Sequence, residues 1–129
     1  MAQYRNGPVQ LEAAIAGLLE PNLDLALDDQ SWSIRQIIHH IVDGDDIWKH
    51  CIKLALGVTD PILDLRWYLA RPQIQWAEMW AYRDREIAPS LALFAANRNH
   101  IFQLIQAIKM PWEQDILIQL LDKQEKVTL

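Results

Sequence analysis

The stretch from Trp32 to Leu56, WSIRQIIHHIVDGDDIWKHCIKLAL, constrains this chain more than any other part of it. It carries His39, His40 and His50, three of the four histidines. Ser31 or Ser33 can cap a helix here, because a hydroxyl accepts from the orphan N–H groups of a first turn. Gly57 is a typical residue to stop that helix, and Thr59-Asp60-Pro61 marks the break.

The rest of the chain reads as more helix. Residues 1–8 are polar and lead through Gly7-Pro8 into a helix over Val9–Leu19, whose apolar positions recur at helical spacing. Pro21-Asn22 breaks it, and Leu23, Leu25 and Leu27 form a connector expected to pack its leucines. Residues 61–86 read as a partly helical connector with a short helix over Gln73–Tyr82. Its Trp67, Trp76 and Trp80 are expected to pack on the bundle, with a small-ligand role as the alternative. A second strong helix runs from Ile87 to about Lys109, with Pro89 in its first turn, where the missing N–H costs little. Ile116, Leu117, Leu120 and Leu121 fit a short helix over Trp112–Lys123.

The fold class is therefore all-α. The 129 residues make one domain, and a hydrophobic fraction of 51% is too high for disorder. A net charge of −5 with scattered basic residues argues against nucleic acid. No apolar run approaches the roughly 20 residues of a membrane span, and no secretory leader is visible at the N-terminus. A cytoplasmic protein is expected. Cys51, the single cysteine, reads as core filler.

A helix advances about 100° per residue, which separates the faces of the central helix. Ile34, Ile37, Ile38, Ile41 and Trp48 define the expected core side, with His40 at its margin. His39 falls on a polar stripe with Asp43, Asp46 and His50. That stripe could hold a cation or simply be a solvated face. An inward His40 could join ligands from neighbouring helices, as bundle-core sites do, or be a satisfied core residue.

The run Trp32-Ser33-Ile34-Arg35-Gln36-Ile37-Ile38-His39-His40-Ile41-Val42-Asp43 resembles the DinB/YfiT-like superfamily, and the double histidine is most similar to its YfiT branch. Lys53-Leu54-Ala55-Leu56, the acidic turn into Pro61 and Ser90-Leu91-Ala92-Leu93 extend the likeness. The resemblance implies a four-helix up-and-down-type bundle, here with three long helices and a short or missing fourth, expected as a homodimer. It also implies a divalent metal, zinc or nickel, held by three histidines, of which His40 is the one on the second helix. Asp43 lies one turn beyond it. The implied chemistry is metal-dependent hydrolysis, or S-transfer on a low-molecular-weight thiol, with the metal as Lewis acid.

The other two ligands of that pattern form a His-X-X-X-His pair on a final helix, and this sequence has none. His100 is followed four residues on by Leu104. Val127-Thr128-Leu129 is similar to the entry into that final helix, so the domain is expected to be C-terminally incomplete. One imidazole is not a stable zinc site. Two functions follow: a metalloenzyme whose site is incomplete in this chain, or a non-catalytic bundle that self-associates through the surface a missing helix leaves.

Overall fold

The computed structural model describes residues 2–108 and 114–128. Three long helices make its body: α1 (Ala2–Ile15), α2 (Ile34–Gly57) and, after two short ones, α5 (Ile87–Ala107). The short helices α3 (Arg66–Leu69) and α4 (Gln73–Met79) lie between α2 and α5. Helix α5 packs against both α1 and α2. The expected helical bundle is what the chain forms, and it carries one addition, a small sheet.

Helix α1 starts earlier than its apolar spacing indicates and takes in the Gly7-Pro8 pair expected to be a loop. A proline inside a helix leaves the carbonyl four residues back without its N–H partner. Here that carbonyl belongs to Tyr4, and Arg98 Nη1 of α5 donates to it at 3.2 Å. A Cβ on Gly7 would lie 3.4 Å from the Phe94 ring, so the glycine lets α1 approach α5 closely. The helix ends before Gly17, which adopts a left-handed φ of 82°.

In the connector that follows, only Leu23 is buried; Leu25 and Leu27 are exposed, contrary to the packed leucines expected. Arg35 of α2 holds this segment instead. Its Nε donates to Asp24 at 2.8 Å, its Nη2 to Glu20 at 2.6 Å and its Nη1 to the Arg85 carbonyl at 3.2 Å. One buried guanidinium thus ties three separate stretches of chain.

Ser33 caps α2, its hydroxyl accepting from Gln36 N at 3.3 Å while Gln36 Oε1 accepts from Ser33 N at 3.0 Å. This reciprocal box satisfies two orphan donors. The faces of α2 differ from those expected. Ile38, His39, Val42 and Asp45 are buried, whereas Ile37, Ile41 and Trp48 of the expected core side are exposed. The side facing α5 is rich in polar groups because α5 supplies their partners. Apolar content alone pointed to the wrong side.

Strands β1 (Ile62–Asp64), β2 (Asp115–Gln119) and β3 (Gln124–Thr128) form a sheet in that order. β1 and β2 run parallel, with Leu63 opposite Ile118, and β2 and β3 are antiparallel, with Ile116 opposite Val127. Leu63 and Ile116 pack on Cys51 and Ala55 of α2. The described part of the expected Trp112–Lys123 helix is therefore strand and turn, and residues 109–113 lie outside the described residues. Ile116 and Ile118 are buried at a spacing of two, which is the period of a strand. Val127 and Thr128 belong to β3, not to the start of a helix. Among the described residues, no helix is long and apolar enough to cross a membrane.

Candidate metal centre

The two neighbouring histidines of α2 are in different states. His39 is fully buried. Its Nε2 lies 3.2 Å from the Arg85 carbonyl and its Nδ1 lies 2.9 Å from Ser90 Oγ. A carbonyl only accepts, so Nε2 carries the proton and Nδ1 accepts from the serine hydroxyl. Both ring nitrogens are committed, and burial pushes the pKa below its ordinary value. His39 is a structural bolt between α2 and α5, not a member of a polar stripe.

His40 is half-buried. Its ring meets Trp32 edge-on, with centroids 4.8 Å apart and planes at 81°. Among the described residues it makes no side-chain hydrogen bond, so both nitrogens are uncommitted. Burial lowers its pKa while the Asp43 carboxylate pulls the other way, which keeps the imidazole neutral and its lone pair available at neutral pH. The sequence singled out His40 as the inward histidine. The structure makes it the outward one, and the freer of the two.

Asp43, one turn on, is held at Oδ2 by Arg85 Nη1 at 3.2 Å. It also lies against the Tyr82 hydroxyl, whose pKa rises through burial first and the neighbouring carboxylate second. The remaining stripe residues diverge. Asp46 pairs with Lys49 and accepts from Asn97 Nδ2 at 3.3 Å, and His50 is exposed. His100 is exposed on α5. Among the described residues, no group of three or more His, Cys, Asp or Glu side chains could hold a metal ion. The donor set present, one free imidazole, does not by itself fit a zinc site.

An aromatic chain escaped sequence reasoning. It runs from Trp76 to Trp80 (4.9 Å), to Tyr82 (6.1 Å), and from there to both His39 (5.6 Å) and Trp32 (6.3 Å). Trp76 is buried and its Nε1 donates to the Tyr68 carbonyl at 2.8 Å, a contact within the connector, whereas Trp67, expected to pack on the bundle, is 52% exposed. Ser90, Tyr82 and Arg85 lie more than forty residues from the histidines they serve, and no local pattern announces them.

The DinB superfamily model matches residues 3–128. The chain belongs to the DinB superfamily. This DinB-family chain is 28% identical over 93 residues to a "Putative metal-dependent hydrolase" of Geobacillus thermodenitrificans, covering 72% of this chain and 49% of that protein. It is 27% identical over 86 residues to the protein of the same description, YfiT, of Bacillus subtilis, covering 67% and 46%. The chain thus spans about half the length of the curated relatives it matches. In three dimensions it superposes on the solved structure of Bacillus subtilis YfiT, described as a four-helix bundle of unusual topology. The TM-score is 0.77 at 22% identity, covering 97% of this chain and 68% of that one. That likeness establishes the fold.

Proposed function

We propose that this chain supplies one side of a metal-dependent hydrolase site, with His40 as its imidazole donor and the remaining donors coming from outside the described residues. The observation that carries this reading is the contrast between adjacent histidines, one with both nitrogens engaged and one with neither engaged among the described residues. The names borne by the relatives support the hydrolase class, and S-transfer from a low-molecular-weight thiol is the variant of the same reading. Asp43 is the carboxylate whose charge acts on His40, and its grip by Arg85 keeps it oriented.

Cobalt or zinc titration by calorimetry tests the reading. Wild type binds one ion weakly and loses it on dialysis, and His40→Ala falls to the background of exposed His50 and His100. Tight stoichiometric metal that survives dialysis would show that the site is complete in this chain. Binding unchanged in His40→Ala would remove the residue from the site.

A second reading rests on the exposed apolar residues Ile37, Ile41 and Trp48 of α2, with Leu25 and Leu27 lining a hollow with Ile37. Contiguous apolar surface of this kind marks interfaces, and a homodimer through this face covers it. Sedimentation at micromolar concentration checks this, with Ile41→Lys expected to return a dimer to monomer. A wild-type monomer would end the reading.

A further inference from the structure

Ile37, Ile41, Gly44 and Trp48 follow one another along α2 at helical spacing, which puts them on a single stripe of the helix. The three large side chains are exposed, and a Cβ added to Gly44 would meet nothing within 4 Å. Farther along, the same side of α2 is closed, because Cys51 and Ala55 lie against Leu63 and Ile116 of the sheet. The open seam is thus about three turns long, roughly 17 Å. It carries no charged residue and has the spacing that packs against another helix.

This seam reads alike from both ends. Residues 37 and 48 are equally far from its midpoint, and so are 41 and 44. Two copies of α2 laid antiparallel about a two-fold axis at that midpoint set Ile37 against the partner's Trp48 and Ile41 against the partner's Gly44. A two-fold interface demands such matching, because residue i meets j while j meets i. The glycine leaves room beside the axis that the facing isoleucine can fill.

A second feature has the same register. An apolar hollow of about 360 Å³ lies at the Ile37 end, lined by Leu25, Leu27, Trp32, Ile34 and Ile37, with no charged side chain among the described residues in its wall. Its volume is at the lower end of sites that enclose small rings. Leu27 at its rim is 96% exposed, and Trp48 at the other end of the seam is 48% exposed. Each copy therefore carries one half-exposed indole and one hollow, and the axis that aligns the seams brings each indole to the other copy's hollow. Tryptophans seated in such pockets dominate interface energies.

We propose that two copies of this chain pair antiparallel along α2, Ile41 packing over the partner's Gly44 and Trp48 entering the partner's hollow between Leu27 and Ile37. This pairing rests on the second reading above for its face and adds the direction and register of the partner. It requires no metal.

Sedimentation of Ile37→Lys and Trp48→Glu, both at exposed side chains, tests the register. Wild type is a dimer, and each variant alone is a monomer, its dissociation constant raised about tenfold or more. An equal mixture of the two variants dimerises again. The new lysine then faces the new glutamate at one end, while the native Ile37–Trp48 contact is kept at the other. Parallel pairing never brings the two substitutions together, so its mixture stays monomeric. Gly44→Leu fills open space in the single chain and favours the helix, so it keeps the far-UV circular dichroism and still abolishes the dimer. A wild-type monomer overturns both this pairing and the second reading and leaves the seam to a helix of another chain. A wild-type dimer that Ile41→Lys dissociates, but whose variant mixture stays monomeric or which survives Gly44→Leu, overturns the antiparallel register alone.

Discussion

The two sides of helix α2 show what a buried polar face and an open apolar face each do in this bundle. Toward α5 the helix presents His39, Asp45 and Asp46, and α5 answers with Ser90, Arg98 and Asn97. On the other side, Ile37, Ile41 and Trp48 stand exposed beside a half-buried His40 that has no hydrogen-bond partner among the described residues. Polar residues became structural because partners were built for them. The side that looked like core was left free for other groups to meet. In this chain, burial follows the placement of partners more closely than it follows hydrophobicity.

The strongest way to break that comparison is at Arg98. Its Nε lies 2.6 Å from Asp45 Oδ1, and its guanidinium covers the Tyr4 ring at 3.9 Å. Arg98→Ala leaves a buried carboxylate uncompensated and is expected to cost about 4 kcal/mol in urea unfolding. A loss below about 1 kcal/mol would mean that the polar side is not the structural one.

The adjacent isoleucines sharpen the same point. Ile38 is 1% exposed and Ile37 is 44% exposed. Ile38→Ala is expected to cost about 3 kcal/mol and Ile37→Ala about 1 kcal/mol. The reverse order would restore the face that hydrophobicity alone indicates.

A smaller split is expected between the histidines. His39→Ala leaves the Arg85 carbonyl with Arg35 as its remaining donor, removes the Ser90 hydroxyl's acceptor and opens a cavity, for about 2 kcal/mol. His40→Ala should stay within about 1 kcal/mol. Equal losses would remove the distinction on which the candidate site depends.

The mildest effect is on pH dependence. The folded-state pKa of His39 lies below its ordinary 6.5 because burial disfavours the charged ring. The unfolded chain then binds more protons below that pH, so the contribution of His39 is present above 6.5 and is lost as pH falls through the depressed value. His40 is shifted in the same direction by burial. Urea midpoints from pH 7 to pH 5 should therefore fall less steeply in His39→Gln than in wild type.

Much of the helical framework was legible in the chain. Ser33 and Gly57 announced the ends of α2, Pro89 marked the first turn of α5, and Trp76 announced a packed connector. The start of α1 was hidden because Pro8 ordinarily breaks a helix, and only a side chain ninety-four residues away satisfies the carbonyl it frees. Strand β2 was hidden because Ile116, Leu117, Leu120 and Leu121 fit helical spacing as well as alternation. The choice was made by parallel pairing with β1, across more than fifty residues. At the site, the motif singled out His40 while the helical wheel exchanged the environments of His39 and His40. A wheel weighs side chains by polarity and cannot see Ser90 or the Arg85 carbonyl.

The most direct test of the division of labour between these histidines is a long-range proton–nitrogen spectrum of the imidazole rings, recorded before and during zinc addition. His39 should show a protonated Nε2 and a bare Nδ1 throughout, while the ring nitrogens of His40 shift with added metal. Zinc-dependent shifts at His39 with His40 unmoved, or a proton on His39 Nδ1, would contradict the account.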